Sequence, residues 1–287
     1  MNVATIDYGQ PDAPGRFAES LRDSGFAVLV NHPLPADLVR RVQDEWLAWF
    51  QTDAKYGYLP APGAQDGYHP QSSPETAVGA TVPDVKEFYH WYPRGRHPDG
   101  LSDAAADLHG AAAMLGATLL GWLGEETPAA VAAQFAMPLP QMILGSRRTL
   151  LRILHYPPPT GSEPPGAMRA AAHEDINLLT VLPAATRPGL QVLDQAGVWH
   201  DVPCDPGSVV INSGDMLALA SGGHYPSTTH RVLLPEGEHA LQPRVATPLF
   251  LHAGDQVPLG GATAFDFLRE RLRQIRGVDL DPTTTPN

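Results

Sequence analysis

The feature that most restricts the fold is a change of apolar period near residue 149. Upstream, apolar residues recur every three or four positions. Phe17 and Leu21 do so in PGRFAESLRDSG, as do Leu38, Val42, Trp46 and Trp49 in PADLVRRVQDEWLAWF. Leu108, Leu115, Leu119 and Trp122 repeat the pattern in LSDAAADLHGAAAMLGATLLGWLG. Each is a helix with one inward stripe. Gly25 ends the first helix, leaving FAVLV (26–30) as a short buried strand. Downstream, alternation takes over in TLLRILHY, NLLTVL, GLQVLD, GVWHDVP, SVVIN, DMLALA, STTHRVLL and RVATPLFLH, separated by Pro, Gly and Asp turns. Short strands at this spacing predict an antiparallel sandwich or barrel. TAFDFLRERLRQIRG then returns to the helical period, with Thr263 as N-cap and Phe265, Leu268, Leu272 and Ile275 facing inward.

The expected architecture is one domain over 1–287, α+β but mainly β. A mostly helical part over 1–148 precedes a jelly-roll core over 149–252, and a C-terminal helix covers 263–276. The Pro/Gly/Ser-rich stretch at 59–84, continued by KEFYHWYPRGRHPDG, reads as a lid-like loop over 59–100. The final DPTTTPN reads as a frayed end.

With 43% hydrophobic residues the chain can build a sizeable core, yet no apolar run approaches the roughly 20 residues a membrane helix needs. The start, MNVATIDYGQ, lacks the basic and apolar regions of a signal peptide. One cysteine, Cys204, cannot form an internal disulfide, which fits a reducing cytoplasm. A formal charge of −12 without a basic stripe excludes a nucleic-acid surface and still permits an anionic small substrate held by a few arginines. Nothing in the sequence sets the oligomeric state.

Chemistry concentrates in AAHEDINLLT (171–180). In a strand, His173 and Asp175 project to one face and Glu174 to the other. H-x-D alone is weak, since chance produces about one in a chain with 12 histidines. Two occur here. His97-Pro-Asp99 lies in a turn-rich segment without alternation, whereas His173-Glu-Asp175 enters a strand and STTHRVLL later supplies His230. Two histidines and a carboxylate are the ingredients of the facial triad that holds non-haem Fe(II), with positions left open for substrate and O2. A closed structural zinc site would want more thiolate than one cysteine supplies. Fourteen residues beyond His230, Arg244 heads an apolar strand and needs an anion, which its planar fork matches bidentately if a carboxylate. Arg152, Leu154 and Tyr156 share a face of LRILHY, so the Tyr156 hydroxyl can join Arg244 on that anion.

These residues sit in longer phrases. ATIDYG, SLRDSGFAVLVNHPLPADLVRRV, KEFYHW, LRILHYPP, HEDINLLTVL, GLQVLD, GVWHDVPCDPGSVVINSGDMLALASGGHYPSTTHRV and RVATPLFL follow one another. In content and order they resemble the isopenicillin N synthase-like group of Fe(II)/2-oxoglutarate-dependent dioxygenases, almost end to end. The resemblance implies a distorted double-stranded β-helix with helices packed outside. It implies His173, Asp175 and His230 as iron ligands, Arg244 on the distal carboxylate of 2-oxoglutarate, and Tyr156 assisting. It further implies oxidative decarboxylation to succinate and CO2, coupled to attack on an unactivated C–H bond. Hydroxylation is the default outcome. Desaturation or ring closure stays open, and an intact Asp175 argues against halogenation.

Two departures bear on the cosubstrate. The family pattern is Arg-x-Ser, whereas this chain reads Arg244-Val-Ala246, and Leu154 stands where plant relatives often carry Asn. The expected substrate is a small polar molecule bearing a carboxylate, such as an amino acid or natural-product intermediate. Candidate contacts are Asn177, Tyr89, Trp91, Arg152 and Arg169. Two rivals remain at this point: an oxidase of the same family that uses no 2-oxoglutarate, and a non-catalytic jelly-roll binding protein.

Overall fold

A computed structural model describes residues 3–61, 63–72 and 82–276. Part of the 59–100 stretch and the DPTTTPN end therefore lie outside the described residues. The chain runs β1 (Ala4–Asp7), α1 (Ala13–Ser24), β2 (Phe26–Val30), α2 (Ala36–Phe50), β3 (Gly67–His69), β4 (Glu87–Trp91) and α3 (Ala104–Glu126). Two single turns, α4 (Ala129–Ala132) and α5 (Leu139–Met142), lead into β5 (Leu150–Tyr156), β6 (Ala170–His173), β7 (Leu179–Pro183), β8 (Leu190–Leu193), β9 (Trp199–Asp201) and β10 (Val209–Ser213). Then come α6 (Asp215–Ala220), β11 (His230–Val232), β12 (Arg244–Ala246), β13 (Leu249–Leu251), the hairpin β14 (Pro258–Leu259) and β15 (Ala262–Thr263), and α7 (Ala264–Arg276).

The strands form a nine-stranded sheet, β1-β2-β10-β7-β13-β5-β4-β3 with β12 beside β5, and a four-stranded sheet, β6-β11-β8-β9. In the large sheet every pair but β1–β2 is antiparallel. The two sheets face each other, so Phe26, Val28 and Val210 of the large sheet pack with Ala170, Leu190, Val192 and Val232 of the small one. The result is a double-stranded β-helix, a jelly-roll variant of mixed helix and sheet.

Alternation sorts the side chains of the large sheet into two populations. One parity (Ala27, Leu29, Tyr89, Trp91, Leu151, Ile153, Val181, Ile211, Val245, Leu249) joins the core under the helices. The other turns into the space between the sheets, where it carries Phe88, Leu154, Tyr156 and Ala246. Helices α1, α2 and α3 cover the outer face. In α3, Leu108, Ala112, Leu115, Leu119 and Leu123 form the buried stripe.

Three expectations need correction. DMLALA is the helix α6 rather than a strand, burying Met216, Leu217 and Ala220 at helical spacing. The part before residue 149 is less helical than its stripes suggest, because β3 and β4 belong to the large sheet. For the same reason 59–100 is no continuous lid: KEFYHW alternates as β4 and pairs along its whole length with β5. Among the described residues no helix is long and apolar enough to cross a membrane.

Helix α3 approaches the sheet most closely at Gly116, where a Cβ would lie 2.0 Å from Leu251 Cδ1 and 3.4 Å from Val181 Cγ2. Leu251 is itself buried. Gly116→Ala should therefore lower unfolding free energy by about 1–3 kcal/mol in urea denaturation, despite the better helix propensity of alanine.

Candidate metal and cosubstrate site

The two histidines are brought together by strand register. His173 ends β6 and His230 begins β11, and the two are direct cross-strand partners with ring centroids 4.4 Å apart. Asp175 lies just past the end of β6, not on the strand as the H-x-D alternation predicted. It nevertheless turns back, so that Oδ1 stands 3.9 Å from His173 Nε2 and 3.8 Å from His230 Nε2. The three ligand atoms lie within 4.8 Å of one another.

Each donor is aimed by a further bond. The carbonyl of Ala171 lies 2.7 Å from His173 Nδ1, and that of Thr228 lies 3.1 Å from His230 Nδ1. Carbonyls only accept, so both imidazoles carry their proton on Nδ1 and turn a lone pair on Nε2 toward the centre. Asp175 Oδ2 accepts from Thr180 Oγ1 at 2.5 Å and from Asn212 Nδ2 at 2.8 Å, leaving Oδ1 for the centre. Enclosure, then the neighbouring His230, holds His173 well below its ordinary pKa. Burial opposes ionisation of Asp175, but His230, His173 and the bonds from Thr180 and Asn212 outweigh it and lower its pKa. Two imidazole Nε2 atoms and one carboxylate oxygen are a donor set suited to a divalent iron ion.

The loop after His173 is fixed by α6. Its first amides donate to that loop: Asp215 N–H to the Asp175 carbonyl at 2.8 Å and Met216 N–H to that of Ile176 at 3.1 Å. Residue 214 must be glycine for this approach, since a Cβ there would lie 2.3 Å from the Asn177 carbonyl oxygen.

A cavity of about 360 Å³ opens beside His173 and Asp175. Lys86, His90 and Tyr92 from the β4 segment, Arg152 from β5, and Leu268 and Leu272 from α7 are among its walls. Tyr89 and Trp91, expected at the substrate, take the opposite parity of β4 and lie in the core under the helices. Their neighbours His90 and Tyr92 hold the cavity positions, an error of one residue in register. Arg152 lies where expected, with its guanidinium over Phe88 (4.6 Å) and Phe250 (5.3 Å) and its Nε donating to His90 Nε2 at 2.9 Å. Asn177 reaches the cavity wall but is fully buried and spends its amide on the Leu179 carbonyl (2.9 Å) and Thr180 Oγ1 (3.0 Å). It positions Thr180, and through it Asp175.

Arg244 and Tyr156 are cross-strand partners on β12 and β5, with the guanidinium carbon 5.0 Å from the ring centre. Arg244 Nε donates to the Arg187 carbonyl at 2.9 Å, while its buried Nη1 has no partner among the described residues. An orphaned guanidinium nitrogen in this position fits the carboxylate of a cosubstrate. Arg169, expected at the substrate, is outside the cavity wall and lies beside Tyr156 instead. Sequence reasoning missed Thr180, Asn212 and the α7 residues. Thr180 carried a readable signal, a hydroxyl within an apolar strand.

The chain matches the model of the 2OG-Fe(II) oxygenase superfamily over residues 148–253 and that of the non-haem dioxygenase in morphine synthesis N-terminal region over residues 6–110. A crystal structure of a protein assigned as an oxygenase from Shewanella oneidensis is 48% identical, covers 97% of this chain and 100% of its own, and superposes with a TM-score of 0.87. A 2-oxoglutarate-dependent dioxygenase of Gibberella zeae is 38% identical over 109 residues, 38% of this chain and 32% of that protein. The matched part thus spans about a third of that relative. A proline hydroxylase of Petromyces alliaceus is 27% identical over 83% of this chain and 82% of its own. The chain belongs to the 2OG-Fe(II) oxygenase superfamily, whose enzymes are non-haem iron dioxygenases using Fe(II), 2-oxoglutarate and O2.

Thr180 touches no candidate ligand atom facing the centre, yet it orients Asp175. Thr180→Val should weaken Fe(II) or Mn(II) binding about 10- to 100-fold in a metal titration while leaving the circular dichroism spectrum unchanged.

Proposed function

We propose that this chain is an Fe(II)- and 2-oxoglutarate-dependent hydroxylase of a small polar metabolite bearing a carboxylate. His173, Asp175 and His230 hold the iron, and Arg244, with the Tyr156 ring beside it, holds the far carboxylate of 2-oxoglutarate. The observation that carries this reading is the convergence of the three donor atoms within 4.8 Å of one another, with His173 and Asp175 lining the cavity that contains Arg152. When bound, the iron, 2-oxoglutarate and O2 supply the oxidising power to break an unactivated C–H bond, with succinate and CO2 as coproducts.

The chain's own residues bind and orient. His173 and His230 each point Nδ1 at a backbone carbonyl and so turn Nε2 to a metal. Arg152 is the substrate anchor, held in the cavity by His90, whose Nδ1 lies 2.9 Å from the Gln65 carbonyl and whose Nε2 accepts from the guanidinium. Phe88 and Phe250 flank that guanidinium and reduce its exposure to water. The proline hydroxylase relative supports an amino acid or similar metabolite as substrate. A cytoplasmic setting fits the single Cys204, which is unpaired.

The test is a screen of amino acids and related carboxylates under Fe(II) and 2-oxoglutarate, scored by succinate released with oxidised product. Product formed without succinate would replace this reading with an oxidase that needs no 2-oxoglutarate. His230→Ala should abolish turnover with the β core still folded, and an unchanged rate would remove it from the iron. Arg152→Met should lower kcat/KM for the substrate found about 10- to 100-fold. Decarboxylation of 2-oxoglutarate without substrate should persist in that variant.

A further inference from the structure

Arg169 directly precedes β6, four residues before His173, and its side chain is fully buried at 0% exposure. A charge removed from water is costly unless it is paired and hydrogen-bonded. Yet Nε, Nη1 and Nη2 of Arg169 all lack a partner among the described residues. Its charged neighbour is a second cation. Arg169 and Arg244 both lie against the Tyr156 ring, with guanidinium carbons 5.6 and 5.0 Å from its centre. Arg244, only 2% exposed, also leaves Nη1 unpartnered. Burial, then the charge of Arg244, draws the Arg169 pKa down to about 10, so Arg169 stays protonated at neutral pH. A tyrosine ring face offsets part of this repulsion. It cannot satisfy four unpartnered guanidinium nitrogens. An anion can.

We propose that Arg169 is a second carboxylate-binding residue of the cosubstrate site, so that the distal carboxylate of 2-oxoglutarate is gripped between Arg169 and Arg244 beside the Tyr156 ring. This rests on the assignment of 2-oxoglutarate to the Arg244 site made above. The surroundings suit the whole molecule. Leu154, Tyr156 and Ala246 form an apolar cluster there, matching the two methylene groups of the cosubstrate. Residue 246 shares the Arg244 face of β12 and has no hydroxyl to donate, so Arg169 supplies the donors that this position lacks. The arrangement also predicts selectivity. With two guanidinium groups at the far end, a 2-oxo acid without a second carboxylate leaves both buried cations unpaired.

The experiment is titration of 2-oxoglutarate and of 2-oxovalerate, in which a methyl group replaces the distal carboxylate, into anaerobic Fe(II)-loaded protein. Binding is followed by calorimetry and visible absorption for wild type and Arg169→Met. The variant should bind 2-oxoglutarate about 10- to 100-fold more weakly, with 2-oxovalerate affinity unchanged. Its ligand-free melting temperature should be equal or higher, because one of two facing charges is gone, while the rise on adding 2-oxoglutarate shrinks. Ala246→Ser in the Arg169→Met background should recover part of the affinity. Wild-type affinity in Arg169→Met, or equal loss for both 2-oxo acids, overturns the proposal. Should the methionine variant not fold, Arg169→Gln is read by the same criteria. Failure of wild type to bind 2-oxoglutarate would instead overturn the cosubstrate assignment, and this proposal with it.

Discussion

The pairing of His173 with His230 across β6 and β11 is the contact on which the rest of the site depends. It sets two imidazoles side by side at one end of the small sheet. The carboxylate must then arrive from a loop, and a loop holds a side chain only as well as its backbone is held. Helix α6 provides that hold by donating its first amides to the carbonyls of Asp175 and Ile176, groups that would otherwise be short of partners. Thr180 and Asn212, reaching in from β7 and β10, then fix the rotation of the carboxylate itself. The centre is thus built where the two sheets and one short helix meet, and rigid elements position every donor.

Between the sheets, polar groups are graded by their partners. Those aimed at the metal centre are fully satisfied on the side facing away from it. The two arginines beside Tyr156 are not. Such orphaned guanidinium nitrogens lower the stability of the ligand-free protein and strengthen attraction for an anion, so stability and affinity pull against each other there. Tyr156 moderates the conflict by offering its ring to both cations.

Much of this was legible because alternation and helical stripes leave separate marks. The change of period located the β core, Gly25 stopped α1 as read, in a left-handed C-cap at φ 70°, and the family phrases pointed to the three converging donors. Reading failed where two codes overlap. DMLALA is apolar enough for a strand, but Gly214 and the loop carbonyls in need of donors made it a helix. Tyr89 and Trp91 lie in the segment expected at the substrate, but parity along β4 gives the cavity to Lys86, His90 and Tyr92. Arg169 lies beside Tyr156 rather than at the cavity wall, a tertiary relation that no local spacing encodes. The contribution of α7 to the cavity was hidden likewise, since its inward stripe does not say what it covers.

That last helix links access to chemistry. Leu268, Leu272 and Ile275 of α7 roof the cavity, and Arg271 Nη2 meets Asp215 Oδ2 at 3.1 Å in a partly buried ion pair. Asp215 is also the residue whose amide holds the Asp175 carbonyl. Roof and floor are therefore riveted to one post, α6. Removing α7 from this position would bare three apolar side chains to water and break an ion pair at the very residue that steadies the Asp175 loop.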